Sequence, residues 1–210
     1  MLTLRETSYA LFGAWRLAHF DRQGVAYFDR TREGALRSFW AAAILLPAYV
    51  ILVLLHLSEM PVAIGFPSLV LLYAFQYVVA WTALPAAMAF IARTLDREEE
   101  FFGWLAMYNW SQVVAMIVVL PMQAVASSGL FDNPALPFLA VLVNIAVLAY
   151  AWFIARTGLG IGGFGAVGVV LLDVVMTELI WEIGDLVATG RLANQVLIEI
   201  ALAARAGRRR

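Results

Sequence analysis

The sequence predicts an all-α fold, a polytopic transmembrane helical bundle of about five spans with an amphipathic helix at each end. Hydrophobic residues make up 63% of the 210 residues and charged residues only 14%, whereas soluble domains are about 45–50% apolar and about 25% charged. Several uninterrupted apolar runs reach about 20 residues, the length that a helix needs to cross the hydrocarbon core. So little polar surface could not cover a soluble core, which excludes a soluble enzyme, a disordered chain and a nucleic-acid-binding domain.

A polar arm, residues 1–37, precedes the first span. Within it, Thr7–Phe20 is predicted to form a short amphipathic helix, because Leu4, Leu11 and Trp15 fall near one helical face. An aromatic face with arginine beside it suits the membrane–water interface. Packing of the same helix on the cytoplasmic end of the bundle is an equally reasonable interpretation.

Five spans within residues 38–185 are predicted to form the bundle. Each is long enough to cross about 30 Å of hydrocarbon, and a helix satisfies its backbone polar groups within the span. Because the connecting loops are short, successive helices are expected to be antiparallel neighbours. The spans are predicted at about 38–57, 67–92, 104–126, 137–155 and 161–180.

Arginine placement predicts the orientation, since all 14 basic residues are arginine. Six arginines precede the first span, two follow the second and one follows the fourth, whereas the loops at 58–66 and 127–136 contain none. Basic residues collect on the cytoplasmic side of membrane proteins. The N-terminus is therefore predicted to be cytoplasmic.

The tail, residues 186–210, breaks this charge pattern, because with five spans its arginines would emerge on the outer side. Residues 186–204 could form a sixth span that returns the tail, but Arg191 and Glu199 would be costly in lipid. We favour five spans followed by an amphipathic helix that lies on the membrane surface.

Asp173 is the most informative polar residue, because it lies near the middle of the fifth span among leucines and valines. A mid-membrane carboxyl costs about 2.5–3.5 kcal/mol, so it should face the bundle. Gln76 and Asn144 are expected at a similar depth, with Gln112 somewhat nearer the cytoplasmic side. These residues predict either a proton- or cation-handling site or an interhelical hydrogen-bond clamp.

An acidic stripe follows on the same helix and consists of Glu178, Glu182 and Asp185. At 100° per residue these three side chains fall within about 60° of one another. They would lie at the predicted outer mouth, where they could attract a cation. A solvated helix end is the alternative interpretation.

Small residues surround the start of the fifth span. Gly158, Gly162 and Ala166 repeat at intervals of four, which predicts close helix packing, although a flexible entry into the span is also possible. The same segment formally contains a GxGxxG pattern, but a dinucleotide site requires a preceding strand, and here transmembrane helices flank the glycines.

No motif predicts catalysis or a cofactor. The chain contains no cysteine, and its two histidines, His19 and His56, are far apart, so no metal centre is expected. The GxSxG, HExxH and P-loop patterns are missing from the sequence.

The polar arm, five closely spaced spans and an acidic loop before FFGWLAMYNWSQVVAMIVVLP (101–121) resemble the bacterial members of the Yip family of five-helix membrane proteins. The resemblance covers roughly residues 36–185 and implies a helical bundle that binds partners and has no catalytic site. The expected location is then a bacterial cytoplasmic (inner) membrane.

Two functions remain after these exclusions. The first is a non-enzymatic inner-membrane protein that binds or organises partners, either another membrane protein or further copies of itself, within the lipid bilayer. The second is a small proton- or cation-linked transporter or channel that uses Asp173. We rank the partner-binding role first, because catalytic motifs and an inverted repeat are both missing.

Overall fold

The computed structural model describes residues 3–94, 96–128 and 135–191. Seven α-helices and one 3₁₀ helix occupy most of these residues, and no β-strand occurs among them. The predicted all-α fold is confirmed for this part of the chain. In chain order the elements are α1 (Leu4–Ala18), a 3₁₀ helix (Arg22–Tyr27), α2 (Arg32–Ser38), α3 (Trp40–Ser58), α4 (Phe66–Thr94), α5 (Glu98–Ser127), α6 (Ala135–Gly158) and α7 (Gly163–Ala188).

Within the described ranges, five helices are long and apolar enough to cross a membrane. They are α4 to α7 together with α3, which α2 extends at its start to Arg32. Each predicted span overlaps one of them. The fifth differs most, because the sequence places its end at Ile180 whereas α7 continues to Ala188. Gly184 does not break α7, since it is buried where the side chain of Gln76 packs against it.

The central helix of the bundle is α5. It contacts α3, α4 and α6, and the two short helices α1 and α2 also pack against it. Ten of its residues are buried, and they all lie between Gly103 and Val114, in the first half of the helix and just past its midpoint. Both the arm and the membrane-spanning helices therefore depend on this one segment for their packing.

Helices that follow one another in sequence are not always the closest neighbours. The α5–α6 and α6–α7 pairs pack directly, as expected, but α3 packs mainly on α5, and α4 mainly on α7. Ala41 and Leu45 of α3 belong to the same buried core as the first half of α5. Long side chains connect α3 to α4, where the hydroxyl of Tyr49 donates to the carbonyl of Tyr73 (3.1 Å).

A capping box begins α1. The hydroxyl of Thr3 accepts a hydrogen bond from the Glu6 N–H (3.2 Å), and the Glu6 carboxylate accepts one from the Thr3 N–H (2.9 Å). The helix ends at Ala18, two residues before the predicted end, because Phe20 adopts a left-handed backbone conformation (φ 58°).

The arm helix packs on the end of the bundle, which is one of the two arrangements that the sequence allows. Its buried face consists of Ala10, Ala14 and Leu17, and the hydroxyl of Tyr150 in α6 donates to the Ala14 carbonyl (2.7 Å). The predicted apolar face is a different one, because Leu4 and Trp15 point away from the bundle with exposures of 88% and 53%. The small residues Ala10 and Ala14 allow the close approach, Leu17 is buried beside them, and Leu4 and Trp15 stay outside.

The 3₁₀ helix packs directly on α1 through two glycines. A Cβ atom added at Gly24 would lie only 2.7 Å from the carbonyl oxygen of Gly13 and 2.9 Å from Cγ of Leu17. The two backbones therefore approach at a distance that only glycine permits.

The question of a sixth span falls largely outside the described residues, since it concerns the segment after Arg191. The start of the predicted tail, residues 186–188, belongs to α7.

Substitution of Gly24 by alanine should loosen the arm, because the new methyl group collides with the Gly13 carbonyl. We expect the free energy of unfolding in detergent to fall by about 1–3 kcal/mol, with faster tryptic cleavage at the arm arginines. Gly168→Ala is the matched control, since a Cβ at Gly168 meets no atom within 4 Å. Equal behaviour of the two variants would contradict the proposed close packing.

Candidate functional site

Asp173 accepts a hydrogen bond from a neighbouring helix. The hydroxyl of Tyr108 in α5 donates to Oδ1 of Asp173 in α7 (3.0 Å). The Tyr108 ring is held in place by Trp104, one helical turn earlier, with 25° between the ring planes and 5.2 Å between the centroids. The Asp173 carboxyl, in the middle part of α7, therefore has a partner on a neighbouring helix of the bundle.

A cavity of about 220 Å³ surrounds this pair, and we call it the Asp173 cavity. It lies between α5, α6 and α7, and apolar residues complete its walls. Its polar lining residues are Tyr108, Ser111, Gln112, Asn144, Tyr150, Asp173, Thr177 and Glu178.

The Asp173 cavity opens sideways, at the surface that the helical bundle presents to its surroundings. Asn144 and Glu178 are both exposed at its edge, while Asp173 and Gln112 are half-buried. The side-chain amide of Asn144 donates to the Ala140 carbonyl of its own helix (2.8 Å). Polar groups in this position would face lipid unless another molecule covers them.

Of the four residues expected to form one polar cluster, Gln76 lies apart. Its amide donates to the Ile180 carbonyl (2.7 Å) and packs on Gly184, so it connects α4 to the second half of α7. The reason is the length of α7, which continues past the predicted end and so brings a later turn level with Gln76. The Gln76 Oε1 atom is buried without a hydrogen-bond partner among the described residues.

The three residues of the acidic stripe lie in three different environments. Glu178 lines the Asp173 cavity, and Glu182 is exposed. Asp185 instead pairs with His56 of α3, whose Nε2 lies 2.8 Å from the carboxylate. The stripe therefore does not form one acidic mouth, because its last member holds α3 against α7.

The small residues at 158–166 lie on two helices rather than on one face. Gly158 is at the end of α6, where a Cβ would lie about 3.0–3.1 Å from Met107 and Trp104 of α5. Gly162 is the residue before α7 and has no atom within 4 Å of its Cβ position, and Ala166 is fully buried in α7. The four-residue spacing crosses a turn, in which Gly160 has a positive φ of 62°. It therefore does not mark a continuous packing stripe.

Sequence reasoning missed the partners of these polar residues. Tyr108 precedes Gln112 by one helical turn, so the i, i+4 spacing of two polar side chains was the signal that could have found it. The fully buried Asn109 donates to Ser38 (2.8 Å), an α5–α2 contact that no local pattern predicts. His56 likewise pairs with Asp185, which lies 129 residues later in the sequence.

A second and larger cavity, the arm groove, has a volume of about 840 Å³. It lies where α1, the 3₁₀ helix and α2 meet α5. Its charged lining residues are Arg5, Glu6, Arg16, Asp29 and Arg37, and its buried apolar lining residues are Ala10, Phe28, Ala106 and Trp110.

Ion pairs organise the rim of the arm groove. Arg37 lies between Asp29 (2.5 Å) and Glu6 (3.5 Å), and Arg16 pairs with Asp21. Arg5 has no carboxylate within ion-pair distance among the described residues, and its guanidinium lies 5.4 Å from the ring centre of Tyr9.

Both carboxylates on this rim favour the ionised form. Hydrogen bonds from Thr3, with a smaller contribution from Arg37, lower the pKa of Glu6. Hydrogen bonds from Thr31, again with a smaller contribution from Arg37, lower the pKa of Asp29. The rim therefore carries fixed charges of both signs at neutral pH.

In the described part of the chain, no group of three or more His, Asp or Glu side chains is placed to hold a metal ion. No protein-family model matches this chain, and neither the curated proteins nor the solved structures contain a match to it.

The Tyr108–Asp173 hydrogen bond should be measurable as a coupling energy. We expect Tyr108→Phe to lower the free energy of unfolding in detergent by about 0.6 kcal/mol, the average for such bonds between membrane helices, and by no more than about 1.7 kcal/mol. The double variant with Asp173→Ala, which leaves no side-chain acceptor for the hydroxyl, should lose less than the sum of the two single losses. Tyr49→Phe is the matched control, because its hydroxyl binds a backbone carbonyl of α4. Additive losses for Tyr108 and Asp173 would contradict the bond.

Proposed function

We propose that this integral membrane protein is non-enzymatic and binds or organises a partner membrane component, in an accessory or scaffold role. The observation that carries the proposal is the arm groove. It is almost four times as large as the Asp173 cavity, and its volume falls in the range of about 300–1,000 Å³ typical of small-molecule sites. A charged rim above an apolar wall suits a partner that is itself partly polar and partly apolar.

The exposed edge of the Asp173 cavity also supports a partner. Asn144 and Glu178 lie on the surface of helices that are apolar enough to span a membrane. Polar side chains facing lipid are costly, so a second membrane helix over this edge would lower the free energy. Another membrane protein or a second copy of this chain could provide that helix.

The proposed location is a bacterial cytoplasmic (inner) membrane, with the N-terminal arm on the cytoplasmic side. The arginine distribution supports this orientation. The resemblance to the Yip family likewise stays a prediction.

Purification of the full chain in a mild detergent, followed by native mass spectrometry, tests the proposed role. We expect a stoichiometric partner, either a second protein, a further copy of this chain or a bound membrane component. A chain that is monomeric and carries nothing would contradict the proposal.

A proton- or cation-linked transporter is the second candidate, and the Asp173 cavity favours it. Tyr108, Gln112 and Asn144 supply polar groups around the Asp173 carboxyl, and carboxyl groups within membrane spans often mark ion or proton pathways in transporters.

If transport is the function, Asp173→Asn should abolish proton or cation uptake into liposomes while the protein still folds, because an amide cannot exchange a proton. Glu59→Gln is the control, since Glu59 is an exposed carboxylate at the end of α3, outside the cavity. Uptake that survives in Asp173→Asn would exclude this candidate.

A further inference from the structure

The arm groove extends from the surface of the arm to a depth inside the membrane-spanning bundle. Ala106 and Trp110, which line it, lie eight and twelve residues into α5. At 1.5 Å per residue these positions are about 12 and 18 Å from the start of that helix. Since α5 is one of the five candidate membrane spans, the inner part of the groove reaches the hydrocarbon layer.

The chemistry of the lining changes along this direction. The rim is formed by charged side chains of the arm, whereas the inner wall is formed by buried Ala10, Phe28, Ala106 and Trp110. A ligand that fills the groove therefore needs a polar end and an apolar end. Membrane lipids have that construction.

The exposed face of α1 also supports a position of the arm groove at the membrane surface. Tyr9, Phe12 and Trp15 point outward with exposures of 45–53%. Aromatic side chains of this kind concentrate at the level of the lipid headgroups. The arm would thus hold the rim of the groove where headgroups are already present.

The charges on the rim are separated into two parts. Arg5 is a cation without a carboxylate partner among the described residues, whereas Arg37 is shared by two carboxylates, Glu6 and Asp29. Arg5 thus offers a guanidinium that pairs with no described carboxylate, while two carboxylates share the one guanidinium of Arg37. A headgroup with a phosphate and an ammonium matches both parts, since arginine binds phosphate oxygens and carboxylates bind an ammonium.

We propose that the arm groove binds one zwitterionic phospholipid, with its phosphate on Arg5, its ammonium near Glu6 and Asp29, and an acyl chain along Ala106 and Trp110. This inference rests on the proposed function and names the membrane component that the protein holds.

The test is a lipid titration of the full chain in detergent, with native mass spectrometry as the readout. The probes are phosphatidylethanolamine, phosphatidylglycerol and diacylglycerol with identical acyl chains, and soluble glycerophosphoethanolamine. We expect one phosphatidylethanolamine per chain and weaker binding of phosphatidylglycerol. Diacylglycerol, which has no charged headgroup, should bind at least about tenfold more weakly. Glycerophosphoethanolamine should fail to compete, since it has no acyl chain.

Two charge variants assign the headgroup contacts. Arg5→Gln should weaken phosphatidylethanolamine binding about tenfold, while Arg32→Gln, an exposed arm arginine outside the groove, should bind as the wild type does. Glu6→Gln should remove the preference for phosphatidylethanolamine over phosphatidylglycerol. Glutamine can replace glutamate in a capping box, so the fold of α1 is retained.

A third variant tests occupancy of the groove itself. Ala26→Trp adds bulk at an exposed lining position of the 3₁₀ helix and should abolish lipid binding. Leu36→Trp, at an exposed position outside the groove, should leave binding unchanged.

Equal binding by Arg5→Gln and Arg32→Gln, or equal affinity for phosphatidylethanolamine and diacylglycerol, would overturn the lipid assignment. Binding of glycerophosphoethanolamine alone would replace a membrane lipid by a soluble phosphate compound. If no lipid binds but a protein partner co-purifies, the lipid inference fails and the proposed function stands. If neither is found, both fail.

Discussion

The buried first half of α5 is the constraint on which the rest of the structure depends. Its side chains contact α3, α4 and α6 within the bundle and α1 and α2 in the arm. Ala106 and Trp110 lie on one face of α5, and Tyr108 and Gln112 lie on nearly the opposite face. The arm groove and the Asp173 cavity are therefore separated by a single helix, and each has α5 as one of its walls.

Polar contacts in this protein join elements that are distant in the chain. Asn109 binds Ser38, Gln76 binds the carbonyl of Ile180, and His56 lies against Asp185. Each contact satisfies a polar group that would otherwise be unpaired in an apolar environment. The contacts also fix which helices become neighbours, so that α3 and α4, although consecutive, pack mainly on α5 and α7. The position of every candidate site follows from this arrangement.

Composition and apolar run length predict the fold class and the five long helices because both depend on local sequence. A helix needs about 20 successive apolar residues to cross a membrane. Such a run can be read from the sequence without knowing which helices pack against it. The apolar run ends the fifth span at about 180, whereas α7 continues through the acidic stripe to Ala188, with Gly184 packed against Gln76. The docking face of α1 was also missed, since the bundle selects small Ala10 and Ala14 for contact and leaves Trp15 outside.

The sequence by itself determined that five helices can span a membrane, that an arm with an amphipathic helix precedes them, and that Asp173 must face the bundle. Each of these follows from the free-energy cost of placing a polar group in lipid, or of burying one without a hydrogen-bond partner, at a known position in the sequence. Only the tertiary structure decided that Tyr108 is the partner of Asp173, that Gln76 lies apart from the cluster, and that the arm encloses a groove with α5. These features depend on helix order and depth, which arise from packing between residues far apart in sequence.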